Sequence, residues 1–197
     1  MDALNVDIFD SISLKEMNSV SLMKRTDTKF ILHRNAVQAI LNKVQCDYKI
    51  LQVASDRLMT YHSVYFDTDY DHFYHMHHNG HSHRIKVRIR NYVESNLCFL
   101  EVKQKDSQGN TLKKRIKVNQ LTSALDEEAI TFVTQTTAKQ ITLHKSIENQ
   151  FNRFTLVSTA LKERVTMDTN LSFNGVIFNK NLVIIELKQE KINRLSP

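Results

Sequence analysis

The apolar and polar positions of this chain fall into two periods. Arg84-Ile85-Lys86-Val87-Arg88-Ile89-Arg90 alternates a cation with an apolar residue without a break. Successive side chains of a strand point to opposite faces, so this segment has one basic face and one apolar face. The same alternation groups Glu101, Lys103 and Lys105, and then Lys113, Arg115 and Lys117 opposite Leu112, Ile116 and Val118. Arg25, Asp27 and Lys29 share a face near the start of the chain, as do Glu186 and Lys188 near its end. One charged strand face is ordinary solvated sheet. Five that carry cations at period two, with few carboxylates among them, read as a shared polar surface lining one anion site.

The rest of the pattern predicts helices between runs of strands. Residues 5–23 read as helix-forming or capping material, followed by a strand over about 23–32. Asn35 is the expected N-cap of a helix carrying Val37, Ile40, Leu41 and Val44 at three- and four-residue spacing. Strands are expected at 48–53 and 58–66, a short helical piece at 69–78, and the turn Asn79-Gly80. A meander of 83–93, 97–106 and 111–118 turns at Gly109-Asn110. Residues 121–150 read as helical in pieces, and strands return at 153–158, 162–168, 171–179 and 182–188. This order indicates a single α+β domain over 1–197 with an antiparallel sheet. If the basic faces line a water-filled lumen, the apolar faces lie outward under the helices, the reverse of an ordinary small barrel. Such a lumen needs anions, because buried unpaired charge is costly.

Composition narrows the partner. With 27 Lys and Arg against 21 Asp and Glu, the net charge is +6, which suits polyphosphate, nucleotide, nucleic acid or an acidic membrane surface. Cys46 and Cys98 lie in no metal-type spacing and read as free thiols of a reducing compartment. The N-terminus lacks the basic and apolar regions of a secretory signal, and no apolar run reaches the roughly 20 residues of a bilayer span. The expectation is a soluble, cytoplasmic chain. The sequence leaves open a membrane-protein partner and the oligomeric state.

A set of short motifs resembles a known family. Lys24-Arg25-Thr26-Asp27-Thr28-Lys29-Phe30, Tyr65-Phe66-Asp67-Thr68 and Arg88-Ile89-Arg90-Asn91-Tyr92 occur in the order and spacing of VTC domains. So do Leu100-Glu101-Val102-Lys103, Lys113-Lys114-Arg115, Arg164-Val165-Thr166-Met167-Asp168 and Ile185-Glu186-Leu187-Lys188. VTC domains are the polyphosphate polymerase branch of the triphosphate tunnel metalloenzyme (CYTH-like) superfamily. The resemblance implies an eight-stranded antiparallel β-tunnel with a basic lumen and helices packed outside. It implies transfer of the ATP γ-phosphoryl group to inorganic polyphosphate, assisted by Mn²⁺ or Mg²⁺. By motif match Arg88, Arg90, Lys103, Arg153 and Arg164 are the catalytic cations. Arg25, Lys29, Lys86, Lys113, Arg115 and Lys188 contact substrate, and Glu186 binds the metal. Position 24 is Lys where some relatives have Glu. The family continues past Glu-x-Lys into helices with a Ser-Lys-Tyr-type motif. This chain stops at Pro197, which reads as a fragment or a shortened protein.

These residue types suit the chemistry. Phosphoryl transfer depends on positioning and charge neutralisation. Arg offers a planar fork to phosphate oxygens, Lys a point charge, and carboxylate oxygen suits a hard divalent cation. A triphosphatase with water as acceptor and a non-catalytic polyphosphate or nucleotide sensor are the alternatives. Nucleic acid is not an expected partner, because the basic strands interleave Ile and Val rather than stacking aromatics. Glu101 reads as a pairing or supporting carboxylate. His72, His75, His77, His78, His81 and His83 cluster around the Asn79-Gly80 turn and read as solvated or adventitiously metal-binding.

Overall fold

The computed structural model describes residues 4–18 and 25–197. In chain order its elements are β1 (Ser11–Ile12), α1 (Leu14–Met17), β2 (Thr26–His33), α2 (Arg34–Val44), β3 (Lys49–Leu51) and β4 (Met59–Asp67). A 3₁₀ turn at Asp69–Asp71 leads into α3 (His72–His78), then β5 (Arg84–Tyr92), β6 (Leu97–Lys105), β7 (Thr111–Val118) and α4 (Glu127–Thr137). The chain ends with β8 (His144–Ser158), β9 (Glu163–Phe173), β10 (Val176–Ile177) and β11 (Leu182–Gln189). This is a mostly antiparallel α+β fold. The described strands number eleven rather than eight, and they form an open run in which β2 and β7 are not paired with each other. The expected closed eight-stranded ring is therefore not what the hydrogen bonds form. β1, β3 and β10 are only two or three residues long, too short to carry a readable alternation.

The chain packs as two compact units. The first comprises residues 1–60, 151–171 and 177–197, the second residues 61–150 and 172–176. In the first unit β11 lies between β2 and β9, antiparallel to both. Its core joins Val37, Leu41 and Val44 of α2 to Phe154, Leu156, Met167, Val183 and Ile185 of the sheet. In the second unit β4, β5, β6 and β7 form an antiparallel meander. Val64, Val87, Ile89, Leu100 and Val102 pack against Phe73 of α3 and Ala129 and Val133 of α4. In each unit these helices thus cover the apolar sheet face.

Four local expectations are corrected. Residues 5–18 hold β1 and one helical turn rather than a long helix, because Ser13 and Glu16 form a reciprocal capping box that starts α1 late. The remainder of that expectation, with Lys24, lies outside the described residues. The cap of α2 is His33, whose Nδ1 accepts from the Asn35 amide at 3.3 Å. Residues 144–150 belong to β8, not to a helix, and 163–173 is one strand where two were expected.

Candidate functional site

The second unit carries the denser set of cations. The strand register aligns Tyr65, Arg88, Glu101 and Arg115 across β4–β7, with Lys86, Lys103 and Lys113 in the next row. Three lysines stand side by side there. Like charges directly opposite in a sheet repel. The acid of this face is Glu101, 2% exposed. It accepts from Arg88 Nε at 2.8 Å and Nη2 at 2.6 Å, and from Lys113 Nζ at 2.6 Å. Burial would raise its carboxyl, but Arg88 and Lys113 outweigh that and bring it down to about 2.

Residues on β4 that sequence reasoning passed over complete this face. Tyr65 Oη accepts from Arg88 Nη1 at 3.1 Å, and Ser63 Oγ accepts from buried Arg90 Nε at 2.9 Å. The Arg90 guanidinium lies 5.3 Å from the Tyr61 ring centroid, and the Lys86 ammonium 4.9 Å from that of Tyr65. Arg115 sits over Phe99 at 4.4 Å. Burial pushes the Tyr65 phenol up, yet Arg88, Lys86 and Arg90 outweigh it and bring it down to about 8. A phenol lowered against its own burial reports a positive field. The signal for these residues was the alternation Tyr61-Ser63-Tyr65. Asp67, also in the motif, has a structural task. Its carboxylate accepts from the Thr68, Phe73 and Tyr74 amides at 2.7–2.8 Å. It thereby serves the start of α3, where the N-cap Asp71 makes no side-chain cap bond.

The first unit brings together Arg25, Lys29, Arg153, Arg164, Glu186 and Lys188, here with carboxylates interleaved. Arg153 grips Asp168 with Nε at 2.6 Å and Nη2 at 2.7 Å. Arg25 Nε pairs with Asp27 at 3.0 Å. Glu186 pairs with Lys188 and stands 4.0 Å from Lys29 Nζ. Arg164 Nη2 donates to the Met17 carbonyl at 3.4 Å, and the register sets Lys188 opposite both Asp27 and Arg164. Burial alone would raise the Glu186 carboxyl. Lys188, Lys29 and Arg153 outweigh it and hold the carboxyl below its ordinary range. Lys188 is lowered, chiefly by burial, against the pull of Glu186.

Among the described residues no group of three or more His, Cys, Asp or Glu is placed to hold a metal, the α3 histidines included. A hard divalent cation bound to phosphate needs only one or two protein carboxylates, with phosphate oxygens and water supplying the rest. Glu186, ionised on a cationic face, fits that role. No described helix is long and apolar enough to cross a membrane. Cys46 is exposed and Cys98 buried, both as free thiols.

An antiparallel α+β sheet with one charged face per unit defines the class to which the comparisons then give a name. The chain belongs to the VTC domain family, whose model matches residues 24–196. Among solved structures, it shares the fold of a Hippeastrum protein named as an adenylyl cyclase and described as having a dominant triphosphatase activity. The identity is 12%, over 85% of this chain and 79% of that one, with a TM-score of 0.50. A Pyrococcus horikoshii protein, PH1819, is 13% identical over 86% and 80% of the two chains, with a TM-score of 0.45. No curated protein matches the chain.

Proposed function

We propose that this chain is an ATP-dependent polyphosphate polymerase, binding triphosphate and polyphosphate through its cationic sheet faces. The observation that carries the reading is the row Lys86–Lys103–Lys113 beside Arg88 and Arg90, with Glu101 buried between Arg88 and Lys113. Phosphate oxygens bring negative charge to this row of cations. The Arg88 and Arg90 forks orient the phosphoryl group, and Lys86, Lys103, Lys113 and Arg115 neutralise the chain around it. On the first unit Arg25, Lys29, Arg153, Arg164 and Lys188 contact phosphate oxygens. Glu186 holds Mn²⁺ or Mg²⁺, which when bound supplies charge neutralisation on those oxygens. The terminal phosphate of the acceptor attacks the γ-phosphorus and ADP leaves, so no side-chain nucleophile is required.

A triphosphatase is the second reading, favoured by the activity described for the Hippeastrum protein of the same fold; a non-catalytic sensor is the third. Incubation with ATP and Mn²⁺ or Mg²⁺, with products separated on a gel stained for polyphosphate, distinguishes the three. The expected result is a ladder of long chains. ADP and free phosphate without a ladder indicate the hydrolase. Absence of turnover with binding intact indicates the sensor.

A further inference from the structure

The second unit has a cavity that the phosphate chemistry does not use. It measures about 780 Å³, within the size range of small-molecule sites. None of the cations assigned above to substrate or catalysis lines it. Its apolar wall is Phe73 and Met76 of α3, Ile85 of β5, Leu112 of β7, and Ile141 beyond α4. Around that wall stand Arg84, Lys105 and Lys139, with His72 and His83.

The charges do not cancel. Among the described residues Arg84, Lys105 and Lys139 form no ion pair, and the Arg84 Nε is buried without a hydrogen-bond partner. A buried donor left unmade is costly unless a ligand supplies the acceptor. The acid at the cavity, Asp106, is committed to its own turn, accepting from the Asn110 amide at 2.8 Å and Nδ2 at 3.0 Å. The site therefore offers an apolar wall and three uncompensated cations at one place.

We propose that this cavity binds an amphipathic anion, a molecule with an apolar body and one phosphate or carboxylate head, at the end of the meander where the Arg84–Lys105 row borders the polyphosphate-binding face. The body lies against Met76, Ile85 and Leu112, and the head accepts from Arg84 with Lys105 and Lys139 nearby. A bare inorganic phosphate chain satisfies the cations but leaves the apolar wall uncovered, so it is the poorer occupant.

The test is isothermal titration of the full chain with decyl phosphate and decanoate, below their aggregation concentrations, against decanol. Either anion should bind at one site at least tenfold more tightly than decanol, and their ranking gives the head group. Arg84→Gln should weaken the anion about tenfold and leave decanol unchanged. Met76→Trp, which fills the cavity, should abolish binding; Leu112→Trp serves if the first variant loses its cooperative melt. Saturating tripolyphosphate should not displace the amphiphile, which separates failure of this site from failure of the phosphate face. Equal binding of decanol, unchanged affinity in the filled variants, or displacement by tripolyphosphate would each overturn the proposal.

Discussion

The two charged faces of this protein are built from the same residue types and balanced differently. In the first unit Asp27, Asp168 and Glu186 answer Arg25, Arg153 and Lys188 in turn. In the second unit Glu101 lies between Arg88 and Lys113 and pairs with both, on a face that also carries Lys86, Arg90, Lys103 and Arg115. A face on which acid and base are interleaved attracts a polyanion less than one on which cations predominate. On the proposed reading the second unit is therefore the stronger anion host, and the first unit adds weaker phosphate contacts together with Glu186 for the metal.

The largest effect should come from removing Glu101, the carboxylate buried between Arg88 and Lys113. Glu101→Gln leaves Arg88 without its buried counter-charge and should cost about 3–5 kcal/mol in urea unfolding. Asp168→Asn should cost less, about 1–3 kcal/mol, because solvent reaches the Arg153 pair. Equal costs would erase the contrast. The same carboxylate gives an acid limb. In the folded protein its carboxyl is brought down to about 2, below the ordinary glutamate value of 4.5, so its contribution is complete above about pH 4.5 and is lost as pH falls towards 2. Glu101→Gln should flatten that part of the stability profile.

Binding should follow in size. Arg90→Ala should weaken tripolyphosphate about thirtyfold, near 2 kcal/mol for a charged hydrogen-bond donor. Arg153→Ala should weaken it severalfold at most, since Asp168 already holds that guanidinium. Calorimetry at fixed ionic strength reads both, and a larger loss for Arg153→Ala would reverse the assignment. Smaller again is the metal effect. Glu186→Gln should remove most of the gain in tripolyphosphate affinity that Mn²⁺ confers while leaving metal-free affinity within about twofold. Equal loss with and without metal would make Glu186 a structural partner of Lys188.

How much of this could be read from the sequence depended on the element. β5, β6 and β7 were legible to within a residue because cation and apolar residue alternate over most of β5 and over parts of β6 and β7, between clear turns. β8 was only half legible: Phe151 through Val157 carry the core signal, while His144 through Gln150 are polar on both faces and mostly exposed. The cap of α2 went to His33 rather than Asn35 because a ring nitrogen can accept where a side-chain amide was expected to. Closure into a ring could not be read, since a strand's own pattern fixes its faces and not its neighbours. At the site, cations and Glu186 stood out by type and parity. That Glu101 is held by β5 and β7 together, and that Tyr65 sits under Arg88, needed the strand register.

Tyr65 supplies the most direct test of the contrast, because its phenol titrates inside the field of the second unit's cations. Tyrosine absorbance followed from pH 6 to 11, with Tyr65→Phe to assign the signal, should show one group ionising near pH 8. Its proton-bound form is the better phosphate host, so tripolyphosphate affinity should fall as pH rises through 8, and saturating tripolyphosphate should move the titration up towards the ordinary tyrosine range of about 10. A Tyr65 titration that stays near 10 in the free protein, or one near 8 that tripolyphosphate does not move, would contradict a cation-dominated, phosphate-binding face on the second unit.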